Sequence, residues 1–327
     1  MTNILVAGGG GAIGGHLVKR LISDGHRVRA VDVKPLNEWW QVHDEAQNLQ
    51  ADLMHRGETA LVMQSIDTVY DLAADMGGIG YITGYRSKCM SSVQIGLNVL
   101  ECAVQAGVER VFYASSACIY NVAQQTDPNV PGLKESDAWP AEPEPGYGEE
   151  KLFTEQLCRY FSEDYPIETR IARYHNVYGP HGTWDGGREK APAAICRKVA
   201  LAKASGIHEI EIWGDGEQTR SFAFVRDCVE GTVMLTNSQF KEPMNIGSSE
   251  LVTINHLVTL VERIAGVELE RVYKFDAPQG VRGRNSDNTL IREVFGWEPS
   301  TALADGLVGT YEWIESQVLA GGADSSN

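Results

Sequence analysis

The chain has 327 residues, 43% of them apolar and 22% charged, which is enough for a large core in one domain or two unequal ones and argues against disorder. A formal net charge of −16 excludes a general nucleic-acid or membrane-surface binder, because either needs a basic face; a phosphate-bearing ligand would need a local basic pocket. The six cysteines form no C-x-x-C pair and have no histidine cluster at zinc spacing, no basic-then-apolar leader opens the chain, and no apolar run approaches roughly 18 residues, so the expectation is a reduced, cytoplasmic protein without disulfides, metal or membrane span.

Asn3–Ala7 reads as a strand running into Gly8-Gly9-Gly10-Gly11-Ala12-Ile13-Gly14. The spacing is G-x-x-G-x-x-G, at Gly8, Gly11 and Gly14, with Ala12 and Ile13 inside it. A helix follows over Gly14–Asp24, with Leu17, Val18, Leu21 and Ile22 on one face. Glycine there allows a tight turn and lets backbone amides approach a pyrophosphate at the helix N-terminus. The second strand, Arg27–Asp32, ends on an acid about 20 residues on. Its carboxylate would bond a ribose hydroxyl and repel a 2′-phosphate, which favours NAD over NADP. Asp52-Leu53 falls where such folds contact adenine, and reads equally well as a surface acid and its neighbour.

Thr68–Ala74 is a third strand, and Ser92–Gln105 a helix through Val93, Leu97, Leu100 and Val104. Arg110–Ser115 is a fourth strand, Tyr147–Tyr160 a long helix and Glu168–Arg173 a fifth strand. This alternation predicts an α/β protein with a Rossmann-type doubly wound parallel sheet. After Asn176 the character changes. Gly182–Lys190 is rich in glycine and charge and reads as an ordered loop or lid. A strand at Glu209–Trp213 and a helix at Ile254–Ile264 follow, and Ala320–Asn327 is expected to fray. The organisation expected is an NAD-binding domain over residues 1–175, to which later segments return, and a smaller mixed substrate-binding domain over 176–320.

Tyr147-Gly148-Glu149-Glu150-Lys151 is Y-x-x-x-K on a helix, so the phenol and the ammonium share a face. A lysine beside the phenol, with a cationic nicotinamide, is expected to lower the Tyr pKa and let it accept a proton from a sugar hydroxyl. Together with the glycine loop and Ser115-Ser116 after the fourth strand, these residues resemble the extended short-chain dehydrogenases that act on nucleotide sugars. The resemblance implies that Ser116 bonds the hydroxyl being oxidised.

The residues that follow divide the reactions of that group. The run Ser116-Ala117-Cys118-Ile119-Tyr120 lacks the carboxylate pair of a dehydratase. A 4-epimerase needs no further base and usually has a bland residue at 118. Cys118 reads either as a small buried hydrophobe or as a thiolate able to remove a proton beside a ketone. Three further segments are unusual: Lys134 to Pro143, Gly186-Gly187-Arg188-Glu189-Lys190-Ala191-Pro192-Ala193-Ala194, and Trp213 to Phe222. With Val281-Arg282-Gly283-Arg284-Asn285-Ser286-Asp287-Asn288, they make the chain closely resemble the GDP-mannose 3,5-epimerases.

That resemblance implies a GDP-mannose substrate, bound NAD, a homodimer, and Cys118 and Lys190 as the acid–base pair on opposite faces of the sugar. It implies cofactor contacts at Ala73, Asp52 and Leu53, and substrate contacts at Gly77, Ser116, Ala117, Cys118, Asn176, Glu189, Lys190, Ala191, Lys198, Gln218, Thr219, Arg220 and Arg284. Arg188, Lys198, Arg220, Arg282 and Arg284 are the cations available for a diphosphate. Two segments depart from the group: Gly14-Gly15-His16, and a longer stretch around Ala202–Ile207. The readings that compete are a 4-epimerase of another nucleotide sugar and a non-catalytic NAD sensor. Cys118 with Lys190 speaks against the first, and the presence of Tyr147, Lys151 and Ser116 against the second.

Overall fold

The structure is a computed structural model, and it describes residues 1–324. Its centre is a seven-stranded parallel sheet. The strand order is Met244–Ile246, Glu168–Tyr174, Arg110–Ser116, Thr68–Asp71, Asn3–Ala7, Arg27–Asp32 and Gln47–Gln50. Helices cover both faces, so the inner strands are buried nearly throughout, whereas the edge strand Gln47–Gln50 is polar and partly exposed. Within Asn3–Ala7, Ile4 and Val6 join a core with Leu17, Leu21 and Phe112. Leu5 and Ala7 point the other way, against Val69, Leu100 and Ile171. The strand sequence reverses direction between Asn3–Ala7 and Thr68–Asp71, which opens a crevice at the carboxyl ends of the strands.

The helix after the glycine loop spans Ala12–Ser23, and those expected at Ser92–Gln105 and Tyr147–Tyr160 span Val93–Ala106 and Tyr147–Asp164. The third strand stops at Asp71 instead of Ala74. Asp71 Oδ1 accepts the Ala73 N–H at 3.2 Å and curls the chain away from the ladder.

Gly182–Lys190 is irregular, as expected. Beyond it, the helices Ala191–Ser205, Ile254–Ala265 and Leu303–Asp324 enclose a second core around Val199, Leu257, Val258, Val261, Leu307 and Ile314. Between these, the helix Val225–Asn237 returns to the sheet, placing Val225, Cys228 and Val229 against Leu17 and Leu21. The last helix runs through Ala320 to Asp324, so the expected fraying does not begin there; residues 325–327 lie outside the described residues. The stretch Ala202–Ile207 is a helix ending, in which Gly206 (φ 69°) supplies the left-handed cap and Ile207 N–H bonds Ala202 O at 3.0 Å.

Candidate active site

The glycine loop fits close against the sheet. Gly8 has φ 81°, and a side chain there would begin 3.1 Å from Ala73 N. A Cβ on Gly14 would lie 2.1 Å from Gly8 O. The first helical bond is Gly15 N–H to Gly11 O at 2.9 Å. The N–H groups of Ala12, Ile13 and Gly14 therefore face out of a helix end that no side chain caps.

Asp32 ends the second strand beside this loop, with one carboxylate oxygen taking the Lys34 N–H at 3.1 Å. Lys34 Nζ in turn donates to Gly10 O at 2.6 Å. Asp52 accepts the Met54 N–H at 2.9 Å, and Leu53 is buried. His16, the departure in this loop, bonds Pro180 O at 3.2 Å and lies beside the His181 ring.

Ser116 ends the central strand Arg110–Ser116, and its Oγ accepts the Cys118 N–H at 3.2 Å, which turns Ala117 and Cys118 into a short 3-10 turn. Tyr147 opens the long helix and Lys151 lies one turn on. Lys151 Nζ is 4.7 Å from the Tyr113 ring centre, 5.7 Å from that of Tyr147 and 3.7 Å from Glu150 Oε2.

The expected lowering of the Tyr147 pKa is not produced by these protein groups. Burial pushes the phenol well up, Cys118 and Glu150 add to this, and the Ser116 hydroxyl opposes it. The ammonium that was to lower it lies between two rings and a carboxylate. Asp71, buried at the foot of the same cluster, is pushed up to about 7, first by burial and against the pull of Lys151.

Two loops hold Lys190. Gly78 N–H bonds Arg188 O at 2.9 Å. A Cβ on Gly78 would lie 2.3 Å from Glu189 O, and one on Gly77 would lie 2.7 Å from Tyr81 Cβ. The loop after the third strand thus interlocks with Arg188-Glu189-Lys190. Arg188 fastens it further, donating to Asp75 and to the Tyr81 hydroxyl, both at 2.6 Å.

Lys190 caps the helix Ala191–Ser205. Burial lowers its pKa, Cys118 and Cys228 oppose that, and the positive end of a helix is no place for a second cation. Cys118 is half-buried; burial and then Glu144 push its thiol up, while Arg284 and the hydrogen bond with Ser116 draw it down.

The cations read as diphosphate ligands are already engaged. Arg282 grips Asp215 with two bonds, at 2.7 and 2.9 Å. Lys198 donates to Glu211 O at 2.8 Å. Arg220 donates to the carbonyls of Thr219, Gln279 and Val281. Arg284 donates to Cys118 Sγ at 3.3 Å, to Gln125 and to Glu144.

Asn176, at φ 41°, donates to Ser221 O at 3.0 Å. Thr219 bonds Pro128 O. Gln218 donates to Trp213 O at 2.8 Å, and Glu189 takes Arg197 at 2.7 Å. Gln218 Oε1 and Glu189 Oε2 are buried without a protein partner, as groups kept for a ligand would be. Sequence reasoning overlooked Gln125, Glu144, Glu150 and Asp71, because nothing in their local spacing separates them from ordinary polar residues.

A family model described as the NAD dependent epimerase/dehydratase family matches residues 4–247. GDP-mannose 3,5-epimerase 1 of Oryza sativa subsp. indica is 48% identical over 316 residues, covering 96% of this chain and 82% of the relative. GDP-mannose 3,5-epimerase of Arabidopsis thaliana is 45% identical over 322 residues, with the same shares covered. Among solved structures, UDP-glucose 4-epimerase of Thermotoga maritima with UDP-glucose superposes at a TM-score of 0.86 and 26% identity, covering 97% of this chain and 99% of that one.

Proposed function

The chain belongs to the NAD dependent epimerase/dehydratase family, and from that premise we propose that it is an NAD-dependent isomerase that inverts carbons 3 and 5 of the mannose unit in GDP-mannose. The observation that carries this reading is the meeting of Cys118, after the central strand, with Lys190, at the head of a helix far along the chain, where Lys190 lies within reach of the charge of Cys118. A 4-epimerase has no use for such a pair.

The residues fit the dinucleotide. The open helix end at Ala12–Gly14 would hold its pyrophosphate, Asp32 its ribose, Asp52 and Leu53 its adenine, and Ala73, Tyr147 and Lys151 its nicotinamide half. Bound NAD supplies reversible hydride acceptance at carbon 4. Ser116 would hold the carbon-4 hydroxyl, and Tyr147, a neutral phenol when only protein groups surround it, would take its proton once the positive charge of a bound nicotinamide joins that of Lys151 in favouring the phenolate. The resulting ketone acidifies the protons on carbons 3 and 5. Cys118 and Lys190 exchange them from opposite faces, which is the placement that inversion requires. Once carbon 4 is reduced again, inversion of both carbons would give GDP-L-galactose, and inversion of carbon 5 alone would give GDP-L-gulose.

In this reading residues 1–175 carry the cofactor and 176–320 mainly the sugar nucleotide. Gly77, Ala117, Asn176, Glu189, Ala191, Lys198, Gln218, Thr219, Arg220 and Arg284 line the substrate. Substrate entry would draw Arg220 from its present carbonyl partners toward the sugar nucleotide, while Arg284 would meet the substrate from its fixed place beside Cys118. We place the enzyme in the cytoplasm as a homodimer. Its contact helices are Val93–Ala106 and Tyr147–Asp164, and the exposed Phe153 and Tyr160 of the second offer apolar surface. Among the described residues no helix is long and apolar enough to cross a membrane.

The test is incubation with GDP-mannose in deuterated water, followed by NMR of the products. Deuterium at carbons 3 and 5 and none at carbon 4 is expected. Deuterium at neither carbon 3 nor carbon 5, with inversion at carbon 4, restores the 4-epimerase.

A further inference from the structure

Cys118 and Lys190 do not complete the ionisable groups at the reacting centre. Glu144 stands there too, just ahead of the long helix, its side chain 13% exposed. Its Oε1 accepts Arg284 Nη2 at 2.5 Å. The other terminal nitrogen of the same guanidinium donates to Cys118 Sγ at 3.3 Å, and Nε donates to Gln125 Oε1 at 2.6 Å. A planar fork with three acceptors cannot turn, so Arg284 stands fixed between a carboxylate and a sulfur. The main chain fixes the same spacing: Glu144 N–H bonds Cys118 O at 3.0 Å. Gly148 packs so tightly on that carbonyl that a Cβ would lie 2.2 Å from it.

A guanidinium on its own beside a thiol favours the thiolate strongly. Here its charge is matched by a carboxylate it touches more closely than it touches the sulfur. We propose that Glu144 is a positioning residue for the proton chemistry of Cys118: it anchors Arg284 across the sulfur and withholds that cation's charge, so that the resting site keeps a proton to give.

The other groups facing the sulfur do not cancel this. Ser116 donates no charge. Tyr147 is held neutral by burial, and Lys190 and Arg220 act by charge from further off. Burial is the largest influence raising the Cys118 thiol and Glu144 is the next. The inference rests on the reading of Cys118 as an acid–base group, but its consequence is measurable without substrate.

The experiment is the pH dependence of Cys118 alkylation by iodoacetamide in the intact protein carrying NAD, followed by mass spectrometry of the peptide that contains Cys118. Glu144→Gln keeps the size and removes the charge. Its alkylation midpoint is expected to fall by about one pH unit, which is about tenfold faster alkylation at pH 7. Arg284→Gln removes the cation and is expected to move the midpoint the other way, whereas a merely loosened site would expose the thiol in both variants alike. Glu144→Asp restores the charge and is expected to bring the midpoint back toward wild type. An unchanged or raised midpoint in Glu144→Gln overturns the proposal, as does a lowered one in Arg284→Gln if Glu144→Gln does not fold. Failure of the epimerase reading would appear elsewhere, as absence of inversion by the wild-type protein, with the Cys118 midpoint still responding to Glu144.

Discussion

In the proposed reaction Cys118 and Lys190 would reach the sugar from elements that meet only in the folded chain, and neither would belong to the oxidation machinery. Tyr147, Lys151 and Ser116 remain in place when either is removed. Cys118→Ala and Lys190→Ala are therefore expected to reduce bound NAD on addition of GDP-mannose, seen as absorbance of NADH, while losing about 10²- to 10⁴-fold in inverted product. Full inversion by Cys118→Ala would assign the proton transfer to another group. The Y-x-x-x-K pair and the glycine loop were legible in the sequence because their chemistry demands fixed local spacing. Arg284 was legible as a cation but not in its role: 166 residues separate it from the sulfur it touches, and no spacing records that. Glu144 was not legible at all, since an acid in a proline-flanked loop has the look of a solvated one.

Among the elements, the strands and helices of the first half were readable because each has one apolar face or two. The helix Val225–Asn237 was not: Asp227, Thr232 and Thr236 are buried in it among the apolar residues, which blurs the period. The loop Gly182–Lys190 could be read as irregular but not located. Its location comes from the glycine pair Gly77-Gly78, which brings one backbone against another. A methyl on Gly78 would lie 2.3 Å from a backbone oxygen, not from a side chain that can swing aside. Gly78→Ala is thus expected to push Glu189 and Lys190 outward. The melting temperature should fall by a few degrees, about 1 kcal/mol or more of strain. Inversion should fall much further than NADH formation, because the change reaches Lys190 before it reaches Tyr147. Equal loss of both activities would place this loop outside the acid–base step.

At the scale of the whole molecule, two buried groups with opposite responses to acid sit on either side of the same sheet end. His175 is fully buried, bonded to Asn245 Oδ1 at 3.0 Å, and Asn245 also accepts the Tyr120 hydroxyl at 2.6 Å. Burial holds this imidazole down at about 3, with Arg284 and Arg173 adding to that and the Asn245 bond opposing it. Its unfolded counterpart takes up a proton near pH 6.5. The stability His175 contributes is therefore complete above pH 6.5 and drains away as the pH falls toward 3. Asp71 runs the other way. Its carboxyl is held up at about 7, so the fold keeps a proton that the unfolded chain has lost, and acidification from pH 7 toward the ordinary carboxylate range adds stability. Between about pH 4 and 6.5 the two effects offset each other to within about one proton. Removing either partner should expose the other. His175→Gln can keep a hydrogen bond to Asn245, and its unfolding free energy is expected to gain about 1.4 kcal/mol per pH unit of acidification relative to wild type. Asp71→Asn should change the slope by a similar amount in the opposite sense. Urea unfolding of the three proteins at pH 5, 6 and 7 measures both slopes. Parallel lines for wild type and His175→Gln would mean that the imidazole takes up its proton inside the fold as readily as outside it.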